Sequence, residues 1–344
     1  MYDIKNFTID ELENVLLKMG EAAYRGRQLF SWIHQKGVDC LDKANNLPKP
    51  LVDRLKDRYY IGDIDLIKHL ISEDRTEKFL FKLEDGNFIE TVFIPSGKRA
   101  TICLSSQVGC KFGCAFCASG MHGFARDLTP SEILSQILFL KYRQGHKATN
   151  YVFMGMGEPL DNYENVSRAI LIMNDSKGLD IGARRITVST CGVIPGIDKL
   201  KDLKLQVNLS ISLHAVTDKL RDVLVPINKR YSIRKLIEAC RKYIAKTKRL
   251  ITLEYVLLKD KNDSLIDAGI LADMAKDLNA KINLINYSLT KAGDLKPISE
   301  KEAALFLERL EKRKAKATLR ISRGKDINAA CGQLAGERRC RDIS

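Results

Sequence analysis

After residue 100, short runs that alternate apolar and polar residues are separated by longer stretches with helical periodicity. The runs are 101–106, 150–155, 186–191, 207–213, 251–257, 282–287 and 317–321. In the first, Ile102 and Leu104 share one face, and Thr101, Cys103 and Ser105 share the other. Further on, Val207, Leu209, Ile211 and Leu213 oppose Asn208, Ser210, Ser212 and His214. The stretches between carry helix starts. Thr129-Pro130-Ser131-Glu132 and Ser299-Glu300-Lys301-Glu302 read as capping boxes, and Ser232 and Asp263 as N-caps. This alternation predicts an α/β fold: parallel strands joined by right-handed helical crossovers, closed or partly closed into a barrel, with an open doubly wound sheet as the alternative. Helices wrapped outside take the apolar face, so Cys103, Ser189, Asn208, Ser210, Ser212 and Glu254 are expected to point into a polar lumen.

The first 70 residues read as a small helical domain. Thr8 with Glu11 caps a helix ending before Gly20, a second runs from about Glu21 to Lys36, and a third follows Pro48 and Pro50 to Tyr60. Tyr24 to Trp32 mixes basic and aromatic side chains suited to RNA, although Leu29, Trp32 and Ile33 at helical spacing read first as core. Residues 71–98 form a connecting β-hairpin, because Lys78–Leu83 and Phe88–Ile94 flank the turn pair Asp85-Gly86. Glu90 shares a strand face with Phe88, Val92 and Ile94. It is either an edge charge meeting solvent or a carboxylate in a partly apolar site with a raised pKa. The barrel core then spans 99–335, and 336–344 is a basic tail.

Charge adds a partner to this outline. The net charge of +14 is concentrated between Lys229 and Arg249, with nine basic residues against Glu238, and between Arg309 and Lys325, with eight against Glu311. With the tail Arg338-Arg339-Cys340-Arg341 these segments favour a nucleic-acid partner. No run of eighteen apolar residues appears, and Met1 to Lys5 lacks the pattern of a secretory signal, so a cytoplasmic protein off the membrane is expected. Nine cysteines, an odd number with three bunched together, suit metal or chemistry better than a disulfide framework.

The bunch is Cys110-x3-Cys114-x2-Cys117, directly after the first barrel strand, where active sites of such barrels gather. Three thiolates at this spacing fit an iron–sulfur cluster with one iron open; a structural zinc site is the alternative. Phe153-Met154-Gly155-Met156-Gly157-Glu158-Pro159 ends the second strand, with glycines that admit a ligand and a Glu158 able to accept from an ammonium group. Cys331 sits among small residues after the last strand, and reads either as a buried inert cysteine or, with Cys103 in the lumen, as one of a pair able to make and break a disulfide.

Together these stretches resemble the radical S-adenosylmethionine (SAM) enzymes, and within them the adenine-C2 RNA methyltransferase family. The resemblance rests on Ile89-Glu90-Thr91-Val92, Cys103 to Cys110, the three cysteines with Phe116, Phe153 to Leu160, Ser189-Thr190, Ser212-Leu213-His214-Ala215, Val225-Pro226-Ile227-Asn228 and Ala329 to Leu334. It implies a radical SAM type of partial parallel barrel. It also implies a 4Fe–4S cluster on Cys110, Cys114 and Cys117, and SAM held by Gly157, Glu158, Ser189, Ser212, Leu213 and His214. In such enzymes one SAM methylates the cysteine matching Cys331, and a radical from a second SAM removes hydrogen from that methyl group. The resulting carbon adds to C2 of adenine, the residue matching Glu90 handles the proton, and Cys103 releases the product as a disulfide forms. The family usually has an asparagine that contacts SAM where this chain has Ser288, two residues beyond Asn286. The implied partners are 23S rRNA near the peptidyl transferase centre, tRNA at the adenosine 3′ to the anticodon, and an electron donor such as flavodoxin or ferredoxin, with a monomeric enzyme. A sibling acting on C8 of adenine, and a non-catalytic metal-containing RNA-binding protein, are the competing readings.

Overall fold

Thr8 starts the first helix as its spacing from Glu11 predicts: its hydroxyl accepts from Glu11 N, and the Glu11 carboxylate accepts from Thr8 N. The computed structural model describes residues 1–121, 123–290 and 294–335. The basic tail at 336–344, with Arg338, Arg339, Cys340 and Arg341, lies outside the described residues.

Three helices, α1 (Ile9–Lys18), α2 (Tyr24–Phe30) and α3 (Lys49–Lys56), build the N-terminal unit, and short parallel strands β1 (Tyr2–Asp3) and β2 (Tyr59–Tyr60) tie its ends together. Leu29 and Ile33 are core, as their spacing predicts. Trp32 is not: it lies half-buried, donates to Asn46 and carries the Lys36 ammonium 3.6 Å from its ring centroid. His34, which carries no signal in sequence, is fully buried with its ring tilted against Phe30 at 4.6 Å, and neither ring nitrogen has a partner among the described residues.

Burial pushes the His34 pKa down from 6.5 to about 3, with the Lys5 charge adding to the effect. The folded ring is therefore neutral while the unfolded ring takes a proton below pH 6.5, so stability falls as pH drops from about 6.5 toward 3. His34→Leu should be neutral or stabilising at pH 7 and should flatten part of that acid loss, measured as urea midpoints between pH 4 and 7.

One sheet of ten strands organises the rest, in the order β14-β13-β12-β11-β10-β9-β6-β5-β4-β3. Antiparallel β3 (Asp65–Ile71), β4 (Glu77–Lys82) and β5 (Phe88–Ser96) lead into β6 (Arg99–Cys103). The expected hairpin is thus the inner part of a three-stranded meander, and residues 65–71, expected with the helical unit, are a strand. A two-stranded ladder of β7 (Gln107–Gly109) and β8 (Phe124–Asp127) leaves the sheet.

Helix α4 (Pro130–Leu138) then leads to β9 (Asn150–Phe153), α5 (Tyr163–Asn174) to β10 (Ile186–Thr190), and α6 (Ile194–Leu200) to β11 (Asn208–Ser212). After α7 (Asp218–Leu224) and α8 (Ile233–Thr247) come β12 (Ile251–Leu257), α9 (Leu265–Asp277), β13 (Lys281–Asn286), α10 (Glu300–Lys312) and β14 (Lys316–Arg320). β6 and β9–β14 are parallel neighbours throughout, in the seven places the alternation predicts.

Helix α8 shows why the helices lie outside. Ile233, Leu236, Ile237, Cys240 and Tyr243 are buried at helical spacing, while its basic residues face outward. Each large apolar side chain buried this way contributes about 1.5–3 kcal/mol. Both predicted capping boxes form. The other two caps differ from expectation: the Asp218 carboxylate, not Ser232, accepts from Ile233 N, and Ser264 rather than Asp263 caps α9.

β6 and β14 do not pair, so the barrel is partial. They nonetheless line one cavity together through Thr101, Cys103, Leu319 and Arg320, which means the sheet curls until its parallel ends face across a seam. Asn208, Ser210 and Glu254 line a second, polar cavity at the other end of the lumen, with the Asn283 amide donating to Glu254 at 2.6 Å.

Candidate active site

The cysteine loop is seated by the β7–β8 ladder. Cys110 N donates to Gly123 O, and Gly109 has φ +74 because a Cβ there would lie 1.9 Å from that same carbonyl. Gln107 on β7 locks the ladder to the next strand end: its Oε1 accepts from Glu158 N at 2.8 Å, and its Nε2 donates to Asp127 and Asp161. Gly157 has φ +96, and a Cβ on it would lie 2.5 Å from Gln107 Cβ. The chain's own packing therefore already calls for glycine at this position.

Cys110, Cys114 and Cys117 are free thiols, partly exposed. Burial pushes Cys110 up to about 12, Cys114 well above its ordinary value and Cys117 upward, so these thiols give up protons on binding metal. Cys114 feels the charges of both Cys117 and Cys110, yet among the described residues no three His, Cys, Asp or Glu side chains converge as ligands of one metal ion. Three thiols on one loop suit a cluster whose irons each take one thiolate.

The expected SAM residues gather at the C-terminal ends of β9, β10 and β11. Glu158 is buried, and its two oxygens accept from Cys191 N at 2.7 Å and Leu160 N at 3.0 Å. Burial raises its pKa, and the hydrogen bonds from Cys191, Thr190 and Leu160 oppose the rise. Ser189 and Ser212 stand side by side with hydroxyls 3.5 Å apart. Leu213 is buried behind them. His214 has φ +59, its Nδ1 accepts from Val256 N, and burial holds it neutral with a pKa of about 3. Its ring meets the edge of Phe116 from the cysteine loop at 4.6 Å.

Past the end of β13, the hydroxyl of Ser288 and the Oδ1 of Asn286 are buried without a partner among the described residues. A buried orphan acceptor costs about 1–3 kcal/mol, so these atoms fit a polar ligand seated at this strand end.

Arg221 on α7 is the residue that sequence reasoning missed. It is fully buried, and its guanidinium donates to the carbonyls of Cys191 (2.6 Å), Ser212 (3.1 Å) and Leu213 (3.0 Å) and to Asn228 Oδ1 (3.0 Å). The end of the same helix offers Leu224 O to Ala115 N of the cysteine loop. One helix thus fixes two strand ends and the loop in a common frame. The only signal in sequence is its place five residues before Pro226-Ile227-Asn228, whose asparagine it binds.

Cys331 is exposed, on a strap from Gly324 to Ala335 that crosses the barrel mouth. The strap is pinned at both ends. Gly324 N donates to Asp74, Ser72 and Glu73 donate to Asp326, Ala118 N donates to Gly332 O at 2.7 Å, and Ser119 Oγ donates to Leu334 O. Glu90 belongs to the pinning: 6% exposed, it pairs with Lys78 at 2.9 Å and accepts from Ala335 N at 2.8 Å. It is not an edge charge in solvent, the first of the two options from sequence, but a buried carboxylate paired with Lys78. Cys103, Cys117 and Cys331 line one cavity of about 430 Å³. Burial pushes the Cys103 thiol up to about 12, with the neighbouring Cys331 as the next cause.

Residues 104–268 match the radical SAM superfamily, and residues 2–61 match the N-terminal domain of ribosomal RNA large subunit methyltransferase. The chain is 44% identical over 332 residues to a probable dual-specificity RNA methyltransferase RlmN of Clostridioides difficile, covering 96% of each chain. It is 43% identical over 335 residues to a protein of the same description from Lachnospira eligens, covering 97% of this chain and 96% of that relative. Among solved structures, a radical SAM methyltransferase from Sphaerobacter thermophilus superposes with a TM-score of 0.92 at 42% identity, over 97% of this chain and 99% of the other.

Proposed function

Because the chain belongs to the RlmN family of radical SAM RNA methyltransferases, we propose that it methylates C2 of adenosine in 23S rRNA and in tRNA through Cys331. A 4Fe–4S cluster and SAM are its cofactors. Bound here, they supply a methyl group and a carbon radical strong enough to break an unactivated C–H bond, chemistry no side chain has. Cys110, Cys114 and Cys117 hold the cluster. Ser189, Ser212, Leu213, His214, Gly157 and Glu158 hold SAM, with Glu158 turned to the ammonium end and Ser288 supplying the contact for which the family uses asparagine.

The observation that carries the reading is the shared cavity of Cys331, Cys103 and Cys117. The Cys331 sulfur accepts the methyl group as a nucleophile and then carries its carbon to the adenine ring. Electron-poor C2 cannot attack a sulfonium methyl itself, so a sulfur carrier on the strap meets a need of the substrate. Glu90 receives the proton lost from C2. Cys103 attacks the Cys331 sulfur, the carbon–sulfur bond breaks toward RNA, and the resulting disulfide takes two electrons from a flavodoxin- or ferredoxin-class donor before the next cycle. With its thiol near 12, Cys103 is a poor nucleophile until deprotonated, so this step needs a base.

Residues 229–249 and 309–325, with the N-terminal unit, are the proposed RNA-facing surface. Anaerobic reconstitution with iron and sulfide, followed by nucleoside mass spectrometry of both RNAs, tests the proposal. 2-Methyladenosine is expected, and 8-methyladenosine in its place would refute the C2 assignment. Cys103→Ala should convert the enzyme into one trapped on its RNA, seen as a protein–RNA adduct on denaturing gels; full turnover would remove Cys103 from the mechanism.

A further inference from the structure

The cavity that holds Cys103 and Cys331 is lined by three arginines: Arg99 at the start of β6, Arg320 at the end of β14, and Arg323 on the strap side. Arg99, Thr101 and Cys103 alternate along one face of β6, so the first arginine stands at the outer end of a row that leads inward to the thiol. Arg99 is exposed, and Arg320 and Arg323 are half-buried. None of the three has a carboxylate within 4.0 Å or a side-chain hydrogen bond among the described residues, although Arg126, Arg143, Arg168, Arg241 and Arg313 are all ion-paired. Arg320 feels the Glu254 carboxylate only at longer range, and Arg99 and Arg323 have no ion pair among the described residues, so the three cations around a cavity in the barrel seam suit an anion from outside the chain.

A volume of about 430 Å³ admits one nucleoside and excludes a helix, so a target adenosine reaches Cys331 only by leaving its stack. Its base would then lie inside while the phosphates on either side stay at the rim. We propose that Arg99, Arg320 and Arg323 form a clamp for the phosphates flanking the extruded adenosine, binding the RNA backbone at the seam and orienting C2 toward Cys331. The clamp rests on the reading of RNA as substrate.

The test uses the reconstituted holoenzyme and a fluorescein-labelled RNA hairpin with the target adenosine in its loop. A second hairpin carries neutral methylphosphonates at the two flanking positions. Wild-type protein should bind the neutral hairpin roughly tenfold more weakly, as expected from losing charge-assisted phosphate contacts. Arg99→Gln with Arg323→Gln should bind both hairpins alike, with the slope of log affinity against log salt reduced by about 0.7 per arginine, while Arg323→Lys should keep the wild-type slope. Equal binding of both hairpins by wild-type protein overturns the clamp, as do losses from the arginine and phosphate changes that simply multiply. Product analysis of the ordinary hairpin judges the substrate reading separately: coupling without 2-methyladenosine upholds the clamp and sinks the proposed reaction.

Discussion

Cys331→Ala is expected to reduce RNA methylation below detection, more than about a thousandfold, while the protein still assembles its cluster and cleaves SAM. In the proposed assignment, cluster ligation falls to Cys110, Cys114 and Cys117, and the strand ends that would frame SAM are held by Arg221 and Gln107, none of which is hydrogen-bonded to the Cys331 side chain among the described residues. The strap itself is fastened by backbone groups of Gly324, Gly332, Leu334 and Ala335, so removing one sulfur leaves it seated. The checks are the iron–sulfur absorbance, 5′-deoxyadenosine release and nucleoside analysis on one preparation. Retained methylation would refute a sulfur carrier outright. Loss of the cluster along with methylation would mean that Cys331 serves the metal instead.

Arg221→Met should cost about 3–5 kcal/mol of stability, the size seen when a buried charge network loses its cation. The substitution removes a donor from three carbonyls, of which Leu213 O keeps Ala215 N, and from the Asn228 side-chain oxygen, in a closed interior. Asn228 then loses the partner that orients it between Asp218 and Asp222. Urea unfolding of the metal-free protein should show a lower midpoint with an unchanged slope. Arg221→Lys, which keeps a charge but not the planar fork, should recover only part of the loss, because one ammonium cannot reach four acceptors spread over two strand ends and a loop.

The barrel was legible because each strand has to satisfy two environments at once. Val207 to Leu213 against Asn208 to His214 shows greasy wall and polar lumen in one line of text. β3 escaped notice for the opposite reason: Leu66, Ile67 and Ile71 are exposed along an edge strand, so its pattern carries no burial signal. The site divides the same way. Cysteines at fixed spacing announce themselves, whereas the setting of Glu90 depends on Lys78 across the meander and on Ala335, which is 245 residues distant. Arg221 is one arginine among many until folding surrounds it with carbonyls. Local spacing can be read from a sequence, but partners brought together by topology cannot.

The strap's fastenings bear on the order in which this molecule assembles itself. Ser72 and Asp326 are separated by 254 positions, so their contact closes a loop of nearly the whole barrel and has to wait for the intervening strands to find their neighbours. The strap that bears Cys331 is therefore expected to close late in folding. Its polar fastenings and a small apolar anchor of Ala329, Ala330 and Leu334 are few beside the contacts within the sheet, so it is expected to open locally while the sheet stays intact. In the proposed reaction such an opening would let Cys331 move between cofactor, substrate and Cys103.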